Sequence, residues 1–150
     1  RTSGVLKGFQ KGPPDLGDRD AIQDRLADNW AASSRILGDL ARAREFAYVH
    51  VLQPNQYVPG AKPLSEFERQ NAISPTPGMA ACTVQGYERL ARRIPDIEQG
   101  GVSFFDATTI FQNVTEDLYF DTCCHFNQKG NDILLDAVMG FLTGSILGRP

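Results

Sequence analysis

Two short apolar runs constrain this chain more than any other feature. FAYVHVLQ (Phe46 to Gln53) and the stretch Val102 to Asp106 within GGVSFFDATTIF are dense in aromatic and β-branched residues. Pro54 and Asn55 bound the first, and Gly100 and Gly101 precede the second. Runs that are apolar on both faces of an extended chain read as buried strands of a parallel sheet. Parallel neighbours need a long crossover, usually helical. The intervening chain offers two pieces: LSEFERQNA, where Ser65 and Glu68 form a capping-box pattern, and MAACTVQGYERLARRI, Met79 to Ile94.

Ahead of the first strand, DRDAIQDRLADNWAASSRILGDLARARE predicts a helix with Ile22, Leu26, Trp30, Ile36, Leu37 and Leu40 on its apolar side. Acids crowd its start and arginines its end. After the second strand, NQKGNDILLDAVMGFLTGSIL predicts a last helix, with Asn127 as its N-cap and Gly130 relieving close packing. Residues 1–17, rich in Gly and Pro, predict a loop or arm. Such alternation implies an α/β fold with helices covering a parallel sheet. Two strands are too few for an independent domain. Residues 1–150 therefore read as the second half of one doubly wound α/β domain.

Composition closes off several function classes. With 41% hydrophobic and 22% charged residues the chain is globular in character. A net charge of −3 gives no basic footprint, so nucleic acid is not an expected partner. No apolar run is long enough to span a membrane. ARAR (Ala41 to Arg44) and ARR (Ala91 to Arg93) fall where helices are predicted to end, which suits the helix dipole. The chain begins with Arg1 and shows no export signal; one could have been lost upstream, so a periplasmic or extracellular location stays open. Cys82, Cys123 and Cys124 are too few for a disulfide framework, although Cys82 could pair with one of the other two in an oxidising compartment. Asn113-Val114-Thr115 is a glycosylation sequon, with meaning only in a eukaryotic secretory pathway.

The chemistry-bearing stretch is FDTCCHFNQKGN, Phe120 to Asn131. It follows the second strand and leads into the last helix, and sites of open parallel sheets lie beyond the strands' carboxyl ends. A carboxylate that accepts from one imidazole nitrogen fixes the tautomer and frees the other nitrogen to take a proton from a hydroxyl. Asp121 and His125 stand four apart, a separation that can bring two side chains together on one turn.

This block resembles the last motif of the SGNH, or GDSL-type, hydrolases: an Asp, a His, then commonly Asn and Gly before the C-terminal helix. YVHVLQPNQYVPGAKPLSEFE, Tyr48 to Glu68, is similar to the middle of certain members. The resemblance runs from about Ala21 to Leu147. It implies a three-layer, flavodoxin-like fold, of which this chain supplies the C-terminal strands and helices. It also implies ester hydrolysis of the esterase or acetylesterase type, without metal or organic cofactor, on a small ester or an acetylated carbohydrate. His125 would be the acid–base and Asp121 its orienting acid. The family spacing between those two is one residue shorter, which leaves Asp117 or a backbone carbonyl open as the partner of His125.

The family's Gly-Asp-Ser, Gly and Gly-x-Asn-Asp blocks do not occur in these 150 residues. They are expected upstream or on another chain. Ser33 and Ser34 lie within a predicted helix, Ser65 reads as a cap, and Ser3, Ser74, Ser103 and Ser145 lack a nucleophile-elbow context. Two other readings compete. One is a catalytically inactive binding or assembly domain on the same scaffold. The other is a metal module from Cys123, Cys124 and His125 completed by His50 or Cys82, although adjacent cysteines on extended chain point opposite ways. His50, inside a strand, is expected to be a hydrogen-bonded core residue. Gln53, Asn55 and Gln56 end that strand, open to substrate binding or to loop stabilisation.

Overall fold

A computed structural model describes residues 17–146; the expected arm over residues 1–17 lies, but for Gly17, outside them. The elements run α1 (Arg19–Ala43), β1 (Val49–Leu52), α2 (Glu66–Asn71), α3 (Met79–Gln99), β2 (Ser103–Asp106) and α4 (Gln128–Phe141), followed by a π-helical turn, Leu142–Ile146. The two strands pair in parallel, with His50 opposite Phe104 and Leu52 opposite Asp106. The chain is thus a mixed helix–strand fold around a two-stranded parallel sheet. Among the described residues β1 pairs with β2 alone.

Helices touch the sheet on both faces. On one, Trp30 of α1 stands edge-on to His50 and Phe104, at centroid distances of 4.6 and 6.0 Å. Ile97 of α3 is fully buried with Ala31 and Val102 in the same cluster. On the other face Phe105 stacks on Phe141 of α4 at 5.0 Å. A second cluster of Ala72, Phe111, Leu118 and Tyr119 lies under the loop joining β2 to α4.

Local signals placed the starts of α2 and α4. The side chain of Ser65 accepts from the backbone N–H of Glu68, and the Glu68 side chain returns to the backbone of Ser65, a complete capping box. Asn127 caps α4 by accepting from the N–H of Gly130. A Cβ at Gly130 would stand 2.7 Å from Phe126 Cβ, so the glycine does allow close packing.

Three expectations need correction. The face that α1 buries is a stripe of small residues, Ala27, Ala31, Ser34, Gly38 and Ala41, while Leu26, Ile36, Leu37 and Leu40 are exposed. Small residues let backbones approach: a Cβ on Gly38 would meet Val102 Cγ2 at 2.5 Å. Second, α3 does not stop at Ile94 but continues through Pro95 to Gln99. The ring removes a hydrogen-bond donor, but one turn more brings Ile97 into the core, a gain of about 1.5–3 kcal/mol for such a side chain. Third, the ARR cluster is consequently not at a helix end. Arg93 binds Asp28 at 2.6 Å, and Arg89 binds Asp20 and Asp24, so the acids of α1 pair with arginines of α3. No described helix is long and apolar enough to cross a membrane.

Candidate functional site around His125

The segment after β2 returns on itself before α4. Tyr119 and Phe126 form an isolated antiparallel bridge, and the N–H of Asn127 donates to the carbonyl of Leu118 at 2.8 Å. These contacts make the neck of a loop whose tip is Asp121 to His125. Tyr119, Phe111 and Phe126 pack their rings together beneath it.

At the tip, Asp121 Oδ2 and His125 Nδ1 lie 2.6 Å apart. Facing an ionised carboxylate, Nδ1 must carry the proton, which leaves the Nε2 lone pair available. Asp121 Oδ1 meanwhile accepts from the N–H of Cys123 at 2.8 Å and of His125 at 3.4 Å. Between the two residues Cys124, with a φ of 64°, turns the chain left-handed. Of the two candidate acids, the carboxylate at His125 is that of Asp121; the recorded bond of Asp117 is through its carbonyl, to Asn127 Nδ2. The hydrogen bond from His125, with the N–H groups of Cys123 and His125, holds the Asp121 carboxyl below the usual carboxylate range.

The His125 side chain is 65% exposed. It borders an open cleft of about 510 Å³ lined also by Gln53, Phe120, Cys124, Asn131 and Leu134. Phe120 stacks on the imidazole with 22° between the planes. Burial raises the Cys124 thiol, and the charge of Asp121 pushes the same way, which disfavours the thiolate that a nucleophile needs. An oriented imidazole with a free Nε2 at a cleft wall can relay a proton to and from a reacting group.

No family model, curated protein or solved structure matches this chain.

Three of the described serines are engaged elsewhere. Ser34 is buried, with its Oγ 2.7 Å from His50 Nδ1. Ser65 caps α2, and Ser74 Oγ accepts from the N–H of Thr76. His50 is hydrogen-bonded as expected but half-buried rather than in the core, stacked on Phe104, with burial lowering its proton affinity. The metal alternative finds no ligand set: among the described residues no three His, Cys, Asp or Glu side chains gather to hold an ion. Nor do the cysteines pair. All three are free thiols, with Cys82 accepting from Gln23 and Cys124 from Gln53.

Sequence reading left the support of this loop unassigned. Glu68 is fully buried, and its Oε1 accepts from the N–H groups of Leu118 and Tyr119 at 2.8 and 3.0 Å. Lys62 neutralises it from the other side. Gln56 and Tyr57 reach the tip itself. The capping-box pattern pointed to Glu68 but gave no hint of the loop fifty residues away.

Proposed function

We propose that this chain is the acid–base part of an SGNH or GDSL-type ester hydrolase with a three-layer, flavodoxin-like domain. The nucleophilic serine and the oxyanion donors stand on another segment, upstream or on a second chain. One observation carries the reading: the Asp121 carboxylate on His125 Nδ1, at a cleft that precedes α4. The side of β1 that has no strand partner among the described residues, with the exposed Leu26, Leu37 and Leu40, supports a sheet and helix layer that extend further.

In this mechanism His125 Nε2 removes the proton of the serine hydroxyl as its oxygen attacks the ester carbonyl. The imidazolium gives that proton to the departing alkoxide, which leaves as an alcohol. Water then repeats the sequence, and the carboxylic acid is released. Asp121 holds the ring and stabilises the imidazolium. Small esters, including acetylated carbohydrates, are the substrate class.

The experiment joins this chain to a segment bearing Gly-Asp-Ser, in cis or as a second chain, and follows hydrolysis of small aryl esters. Turnover is expected, with loss on His125→Ala and no labelling of the 150-residue chain alone by a serine-directed phosphonate. Full activity of His125→Ala, or labelling of one of this chain's own serines, would overturn the proposal. An inactive assembly domain is the second reading, equally compatible with the exposed apolar residues of α1; it expects association without turnover.

A further inference from the structure

Two adjacent side chains reach from the loop after β1 to the tip that carries Asp121. Gln56 Nε2 donates to the carbonyl of Asp121 at 3.1 Å and to that of Ala72 at 2.9 Å. The Tyr57 hydroxyl donates to the carbonyl of Thr122 at 3.1 Å and accepts from the N–H of Ser74 at 2.9 Å. Consecutive carbonyls of the tip are thus held by consecutive side chains, and both anchor on the segment that follows α2.

The holding loop is itself fixed. Pro54, Asn55 and Gln56 are buried. Asn55 Oδ1 accepts from the N–H of Tyr57 at 3.0 Å, and the Asn55 carbonyl accepts from Val58. Asparagine closing a turn on the backbone two residues on is a rigid local device. With the carbonyls of Asp121 and Thr122 fixed, the direction of the Asp121 Cα–Cβ bond is fixed, and the carboxylate is delivered to His125 Nδ1.

We infer that Gln56 and Tyr57 are positioning residues for the Asp121–His125 pair. They touch neither imidazole nor cleft chemistry and act through the backbone of the tip. The role rests on the hydrolase reading for its purpose, but the geometry can be tested without turnover. Sites held by such supporting bonds lose performance when the support is loosened by a fraction of an ångström.

The test uses the ¹⁵N-labelled 150-residue chain, which has only two histidines. Ring-nitrogen shifts at alkaline pH, where imidazoles are neutral, report which nitrogen of His125 carries the proton; a His125→Ala spectrum assigns the signals. The unaltered chain is expected to hold the proton on Nδ1. Tyr57→Phe, which removes one oxygen and keeps the ring, is expected to lower the Nδ1–H to Nε2–H ratio about threefold, the effect of one hydrogen bond. Gln56→Leu is expected to do the same, and Asp121→Asn more. An unchanged ratio in Tyr57→Phe and in any folded Gln56→Leu, beside a clear response to Asp121→Asn, overturns the positioning role and leaves the hydrolase reading standing. No response to Asp121→Asn overturns both. A tautomer that shifts as expected, in a protein that fails the ester assay, sustains the positioning role and removes only the hydrolase reading.

Discussion

Lys62 Nζ and Glu68 Oε2 meet at 2.6 Å with neither side chain exposed. The pair has a clear structural task. Glu68 also accepts the N–H groups of Ser65, Leu118 and Tyr119, so one carboxylate joins the start of α2 to the neck of the His125 loop. Breaking a buried pair leaves an uncompensated charge. Lys62→Met is therefore expected to lower stability by about 3–5 kcal/mol, measured by urea unfolding. The double change Lys62→Met, Glu68→Gln is expected to recover part of that loss, because no lone charge remains. A Lys62→Met chain as stable as the unaltered one would show that the ammonium is dispensable.

The same carboxylate sets a pH dependence. Burial pushes Glu68 up, but the bond from Lys62 and the backbone N–H groups outweigh it, and the net direction is down. A depressed folded-state value means that the unfolded chain binds the proton first as pH falls. The stabilisation is complete above the unfolded glutamate value, about 4.3, and is lost as pH drops through the lower folded value. Urea midpoints between neutral pH and about pH 3 are expected to fall, and to fall less steeply in the double variant. Parallel curves for the two chains would remove Glu68 as the cause.

Orientation of the imidazole by Asp121 has its own test. In the proposed ester-hydrolysing form, Asp121→Asn keeps the shape of the side chain but no longer favours a proton on Nδ1. By analogy with other oriented histidines, kcat is expected to drop by about 10²–10⁴-fold. Asp117→Asn is expected to leave kcat within about twofold, since the recorded bond of that residue is made by its carbonyl. The opposite ranking would move the orienting role to Asp117.

Close packing at two glycines gives a fourth test. An added Cβ would stand 2.7 Å from Phe126 Cβ at Gly130 and 2.5 Å from Val102 Cγ2 at Gly38. Each glycine-to-alanine change is expected to cost about 1–3 kcal/mol through overpacking, seen as a lower thermal midpoint. The Gly86→Ala control has open space at its Cβ position and lies within α3, where alanine is the better helix former; it is expected to raise the midpoint.

Much of the local structure was legible because its causes are local. The apolar runs marked β1 and β2, Ser65 with Glu68 marked the start of α2, and Asn127 marked that of α4. These depend on side chains that bond or pack within a few residues. The Asp121–His125 pair was legible for the same reason, as two groups four apart on one turn of chain.

What the chain alone left undecided turned on partners distant in sequence. Apolar spacing picked out Leu26, Leu37 and Leu40 of α1, but close approach of its backbone to Val102 favoured burial of the small residues instead. The helical pattern reads as far as Ile94, yet burial of Ile97 against Ala31 and Val102 carries α3 past Pro95. The choice of Asp121 over Asp117 needed the left-handed turn at Cys124. The tie from Lys62 and Glu68 to Leu118 and Tyr119, and that from Gln56 and Tyr57 to the loop tip, exist only once the two loops meet. Sequence thus determined most of the elements and the Asp121–His125 pair, because short-range bonding dictates both. Tertiary structure alone decided which faces are buried and what holds the pair in place, because those outcomes depend on close approach between segments far apart in the chain.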